Sequence, residues 1–168
     1  MTHRFQRLYA FLVLASSVPF APVANAQSCA APIIWRSDPT GSPPMGADLC
    51  AFPDSVALYC DFLDSAGKND AIYQFTLVAG FTSTSVQVAG GTAGFNPVIF
   101  LYNGACATGS GCVVSGDTTN PLPLTGVAPG AYFLAASAAP SDATGACGAV
   151  TLASNGFIPV ELQSFDID

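Results

Sequence analysis

The sequence predicts an all-β protein, an antiparallel β-sandwich of jelly-roll-like form with about 7–9 strands, following a cleaved signal peptide. Three observations carry this. Short runs of apolar residues alternate with polar ones at period two, turn-forming pairs separate those runs, and six cysteines lie in a chain that opens like an export signal. No window shows a sustained 3.6-residue period with a capping box, so helices are not expected.

The leader comes first. Arg4 and Arg7 give a basic start, Leu8 to Phe20 is an almost unbroken apolar run, and Ala24-Asn25-Ala26 is a small-x-small cleavage site. That run is about 13 residues, short of the ~20 that a spanning helix needs, so it reads as a signal peptide over 1–26 and no membrane span is expected. A lipid-anchored alternative would use Cys29, but Ala26-Gln27-Ser28 lack the apolar and small character that precedes a lipidated cysteine. The expected destination is secreted, periplasmic or cell-surface.

All 11 acidic residues follow position 26, against Arg36 and Lys68 as the basic side chains there, and the chain's single histidine, His3, lies in the leader. So acidic a surface repels phosphate backbones, which excludes nucleic acid as a partner. Histidine-based triads and Cys-His pairs lose their base. A Ser-Lys dyad would rest on Lys68, which sits in the polar stretch Asp64 to Asp70 and reads as a solvated side chain. Carboxylate-based hydrolysis could draw on Asp61, Asp64, Asp70, Asp117 and Asp142, all in turn-rich segments where solubilising aspartates are common.

Cys29, Cys50, Cys60, Cys106, Cys112 and Cys147 form an even set in an exported chain and read as a disulfide framework. The small, turn-forming residues between Cys106 and Cys112 suggest that these two close a hairpin loop. Cys50 with Cys60 and Cys29 with Cys147 is the preferred completion, and Cys29 with Cys50 and Cys60 with Cys147 stands close behind. Zinc has neither a Cys-x-x-Cys pair nor a histidine to bind. No cofactor is expected, with calcium as the open possibility: Asp61, Asp64, Asn69 and Asp70 gather hard oxygen ligands, without an Asp-x-Asp-x-Asp-Gly loop.

Segment 27–48 contains the burst Ala31 to Trp35, expected as an edge strand, and then a proline-rich loop. Trp35 with Arg36 could stack on a sugar or clamp a peptide, although a tryptophan beside two isoleucines more commonly packs into a core. Residues 49–156 carry the sandwich. In Ala71 to Leu77, Tyr73, Phe75 and Leu77 face one way and Gln74 and Thr76 the other. Similar runs are Thr84 to Val88, Val98 to Tyr102, Ala131 to Ala136 and Ala149 to Ala153. Gly90-Gly91, Asn103-Gly104, Pro129-Gly130 and Asn155-Gly156 supply the turns between them. Tyr59, Tyr73, Tyr102 and Tyr132 read as strand residues. Segment 157–168 places Ile158, Val160 and Leu162 on one face, as a terminal edge strand or as a tail that pairs with another sheet edge.

From about Asn69 to Leu152 the order of features resembles the bacterial pre-peptidase C-terminal (PPC) domain family. Asp70-Ala-Ile-Tyr-Gln-Phe is similar to its Asp-x-Tyr-x-Phe strand, Asn96-Pro-Val-Ile-Phe-Leu-Tyr to its Asp-Pro-x-Leu-x-Leu strand, Leu124 to Leu134 to its Pro-Gly-x-Tyr hairpin, and Gly148-Ala-Val-Thr-Leu to its closing strand. Asn96 stands where that family often has aspartate, and Phe133 where it often has a second tyrosine. The resemblance implies a non-catalytic sandwich on secreted bacterial proteins, often beside a protease domain that this chain lacks. Together these readings lead to the expectation of a binding or adhesion module for an extracellular or envelope protein or glycan. A structural subunit assembling through edge strands is the alternative, and oligomeric state is left open.

Overall fold

A computed structural model describes residues 29, 31–35, 44–55, 60, 66–80, 84–104 and 111–156. Nine strands run through them: β1 (Ile33–Ile34), β2 (Met45–Asp48), β3 (Ala71–Leu77), β4 (Ser85–Gly90), β5 (Pro97–Asn103), β6 (Cys112–Asp117), β7 (Leu122–Pro123), β8 (Gly130–Ala138) and β9 (Ala149–Ser154). They form two packed sheets, one in the order β1-β3-β8-β5-β6 and the other in the order β2-β9-β4-β7. The protein is an all-β sandwich, as the alternation pattern predicts. One pairing departs from the antiparallel expectation, because β1 runs parallel to β3.

The inner face follows directly from side-chain parity. Tyr73, Leu134, Leu101 and Val114 form one cross-strand row of the five-stranded sheet. Val86, Val88, Val150 and Leu152 of the second sheet join them in one cluster, closed by Leu49, Phe95, Leu122 and Leu124. Burial of this kind stabilises by about 25 cal/mol per Å2 of apolar surface, and it pins the register, since a one-residue slip would turn every side chain to the wrong face.

Trp35 belongs to this core. It is 1 % exposed, its ring meets Phe75 edge-on at 5.9 Å and tilts against Tyr73 at 6.4 Å, and its backbone N–H donates to Gln74 O at 2.9 Å. Of the two residues considered for ligand stacking, Trp35 thus packs in the core, and Arg36 lies outside the described residues. The cost of this packing is two polar atoms without a partner among the described residues, Trp35 Nε1 and the Tyr73 hydroxyl. Burial pushes the Tyr73 phenol up to about 12.

Two turns show why particular glycines are required. Gly90 and Gly91 both have positive φ, 118° and 101°, at the crossing from one sheet to the other, where L side chains are strained. At Gly116 a Cβ would lie 2.8 Å from Asn120 O, so only glycine lets the chain fold back from β6 into β7. The expected Pro129-Gly130 turn is displaced: Gly130 already begins β8, and the positive φ falls at Gly126. Tyr132 locks this approach by donating its hydroxyl to Ala128 O at 2.7 Å.

The cystine pairing corrects the sequence expectation. Cys50 bonds to Cys147, with Cα atoms 5.0 Å apart, and Cys60 bonds to Cys112, at 5.4 Å. Cys112 is therefore not the partner of Cys106, nor Cys60 of Cys50, nor Cys147 of Cys29. Cys29 is also disulfide-bonded, and no cysteine among the described residues is free. The fold brings Cys60, 52 residues away in sequence, against Cys112 at the start of β6. Sequence proximity cannot show this.

Candidate functional site: a clamped loop platform at one end of the sandwich

The start of β3, the end of β8, the start of β5, the end of β4, the end of β2 and the start of β9 lie at one end of the sandwich, as their registers require. The connections 49–55, 66–70, 91–96 and 139–148 meet there, and side chains tie them together. Asp54 Oδ2 accepts from Gly67 N at 2.8 Å. Asp70, fully buried, accepts from Ser55 N at 2.8 Å. Asp142 accepts from Asn96 twice, from its backbone N and its Nδ2, both at 2.7 Å.

Lys68 is the cation of this end, and it is not solvated as expected. It is 4 % exposed, and its Nζ donates to Asp142 O and, at 3.1 Å, to Ala143 O. A buried ammonium needs such partners, because desolvation without them costs several kcal/mol. Gly145 N donates to Gly67 O at 2.8 Å, Leu49 N to Gly148 O at 2.9 Å, and Cys50–Cys147 adds a covalent tie beside them. The four connections form one preorganised platform. Beside exposed Asp54, its exposed rim includes the small, uncharged residues Thr92, Ala93, Gly94, Pro140, Ser141 and Thr144.

Of the candidate calcium ligands, Asn69 and Asp70 are on this platform, while Asp61 and Asp64 lie outside the described residues. Asp70 already holds Ser55 N. No group of three or more His, Cys, Asp or Glu side chains among the described residues is placed to hold a metal. Of the carboxylates considered for hydrolysis, the three among the described residues do not converge. Asp70 and Asp142 serve different loops, and Asp117 closes the turn after β6.

Asp117 is held well below the usual carboxylate range, to about 2, first by the Asn120 backbone N–H, then by the Asn120 side chain and the Thr119 backbone N–H. A general acid needs the opposite shift. Because the folded value is depressed, this turn stabilises the fold above the ordinary range near ~3.9 and loses that contribution as pH falls toward 2. The expected result is an Asp117 carboxyl titrating near 2 by NMR, and an acid limb of the stability curve between about pH 4 and 2 that flattens in Asp117→Asn.

Asn96 and Asp142 escaped the sequence reading as a pair, although the departure at Asn96 was visible. Aspartate at 96 would set two carboxylates face to face, whereas Asn96 Nδ2 donates to Asp142 Oδ1. Asn96→Asp is expected to lower the unfolding free energy by about 1–2 kcal/mol at neutral pH, less in high salt and less toward pH 4, in urea titrations. Asn96→Ala should show a loss without that pH dependence.

No helix among the described residues is long and apolar enough to cross a membrane. Comparisons with protein-family models, curated proteins and solved structures gave no significant match.

Proposed function

We propose that this chain is a secreted or cell-surface binding module, a PPC-like sandwich that contacts an extracellular or envelope protein or glycan and does not turn over a substrate. The observation that carries this reading is the clamped platform. Its carboxylates and its lysine are engaged in tying the loops together, which presents a rigid surface, and a preordered surface loses less entropy on binding. The signal peptide and the cystines support an oxidising destination outside the cytoplasm.

The alternative, assembly through edge strands, meets blunted edges among the described residues. β1 and β7 are two residues each, and β7 contains Pro123, which has no N–H to donate. β2 has four residues. β6 carries a register shift opposite Leu101 and Tyr102 that leaves Val113 as an extra residue. Short edges, proline and bulges are how sheets avoid adding strands.

The test is an array of glycans and matrix proteins probed at about 10 μM, with hits titrated. The expected result is saturable binding that falls at least tenfold in Thr92→Arg/Ser141→Arg while far-UV circular dichroism is unchanged. No saturable binder, or binding indifferent to both arginines, overturns the reading. Light scattering showing concentration-dependent chains of copies would favour edge assembly instead.

A further inference from the structure

An asparagine followed by glycine carries a built-in reaction, because the glycine peptide nitrogen can reach the asparagine side-chain carbon with no Cβ in the way. The sequence holds two such pairs, Asn103-Gly104 and Asn155-Gly156. The other asparagines among the described residues are closed to it. Asn96 and Asn120 precede Pro97 and Pro121, which have no N–H to lose, and Asn69 precedes Asp70, whose N donates to Pro53 O at 3.1 Å.

Both pairs lie at the end of the sandwich away from the loop platform, one at the close of β5 and one just past β9, and both asparagines are exposed. Their side chains differ. Asn155 Oδ1 accepts from Thr84 N at 2.9 Å and from Ser85 N at 3.0 Å, and its Nδ2 donates to Thr84 Oγ1 at 2.6 Å. Its own N donates to Ser85 O at 3.2 Å, so the residue is fastened to the start of β4 by side chain and backbone together. Asn103 is anchored only through its backbone, where N donates to Gly111 O at 2.8 Å. Neither its side chain nor Gly104 N has a hydrogen-bond partner among the described residues. Gly104 is exposed, has a φ of 81°, and has nothing within 4 Å of the place a Cβ would take.

We propose that Asn103 is a site of spontaneous deamidation through Gly104, and that Asn155 is shielded from the same reaction by its clamp to Thr84 and Ser85. Gly104 N gives up its proton to hydroxide and attacks Asn103 Cγ. The new N–Cγ bond closes a five-membered succinimide, the Cγ–Nδ2 bond breaks, and Nδ2 leaves as ammonia with a proton taken from water. Water then opens the ring. Addition at Cγ gives aspartate, and addition at the main-chain carbonyl carbon of residue 103 gives isoaspartate, with the chain continuing through Cγ; nothing is oxidised or reduced. Either product adds a negative charge to a chain of formal net charge -7, and isoaspartate inserts a methylene into the main chain beside Tyr132, the partner of Asn103 on β8. This chemistry is independent of the binding role proposed for the loop platform, and its failure would leave that role untouched.

The experiment incubates the folded chain in mildly alkaline buffer at body temperature, digests samples at low pH, and follows the peptides carrying Asn103 and Asn155 by mass spectrometry for the change from amide to acid. Electron-transfer fragmentation identifies isoaspartate. The expected result is a rate at Asn103 at least about tenfold that at Asn155, because the hydrogen bonds of Asn155 must break before its side chain can turn. The two rates should converge once the chain is reduced and unfolded in urea. Thr84→Val removes the hydroxyl acceptor and should raise the Asn155 rate, whereas Gly104→Ala crowds the attacking nitrogen and should slow Asn103 in the folded and unfolded chain alike. Equal rates in the folded chain, a faster change at Asn155, an Asn103 that stays unmodified, or an Asn155 that stays slow after unfolding overturns the proposal.

Discussion

Cys50→Ser/Cys147→Ser is expected to lose about 4–5 kcal/mol of unfolding free energy, the larger effect of the two described cystine pairs. The bond spans 97 residues of sequence, and closing so long a loop restricts the unfolded chain more than any local bridge can. The native geometry adds little strain to offset this, since β2 already lies along β9 and Leu49 N is bonded to Gly148 O. In thermal scans the loss corresponds to about 10–20 °C for a domain of this size. A total stability within the usual ~5–15 kcal/mol means that the variant stays folded at low temperature and becomes marginal when warm. A change below about 1 kcal/mol in urea titrations would show that the bond closes no long loop.

Trp35→Ala is expected to cost about 3–5 kcal/mol, a loss normally seen only when a large buried aromatic is removed from a core. Trp35 is the chain's single tryptophan, and it fixes the short β1 edge by packing on Tyr73 and Phe75. Circular dichroism during urea unfolding measures the loss, because the substitution removes the intrinsic fluorophore. Trp35→Phe should cost far less, since it keeps much of the apolar contact and removes an indole N–H that has no partner among the described residues. A ligand platform would behave differently: Trp35→Ala would then leave the unfolding midpoint unchanged and alter only binding.

Much of the fold is legible where side-chain alternation and burial coincide. Ala71–Leu77 is found with the predicted bounds, and the runs around Val86, Phe100, Leu134 and Val150 all become strands within one or two residues. The edges are less legible. Met45–Asp48 lies beside prolines and glycines that signal a loop, yet it pairs with β9 because the neighbouring strand supplies its hydrogen bonds. Cys112–Asp117 was not among the runs expected as strands, and it becomes one through its pairing with β5.

The platform was visible only in parts. Turn-rich aspartates look alike in sequence whether they are solvated or fastened to a distant backbone N–H. Asp54 reaches 13 residues to Gly67 and Asp142 reaches 46 to Asn96, separations at which no local pattern carries the information. Lys68 misleads for the same reason: its polar neighbours suggest water, while its amine is enclosed by the 142–143 carbonyls. The cystines follow the same rule, since both described pairs join segments that only the two-sheet topology brings together.

The most direct test is peptide mapping by mass spectrometry of the non-reduced protein, digested under conditions that prevent exchange. The account predicts one linked pair joining the peptides that carry Cys50 and Cys147, and another joining those that carry Cys60 and Cys112. A Cys106–Cys112 or Cys50–Cys60 linkage would contradict it.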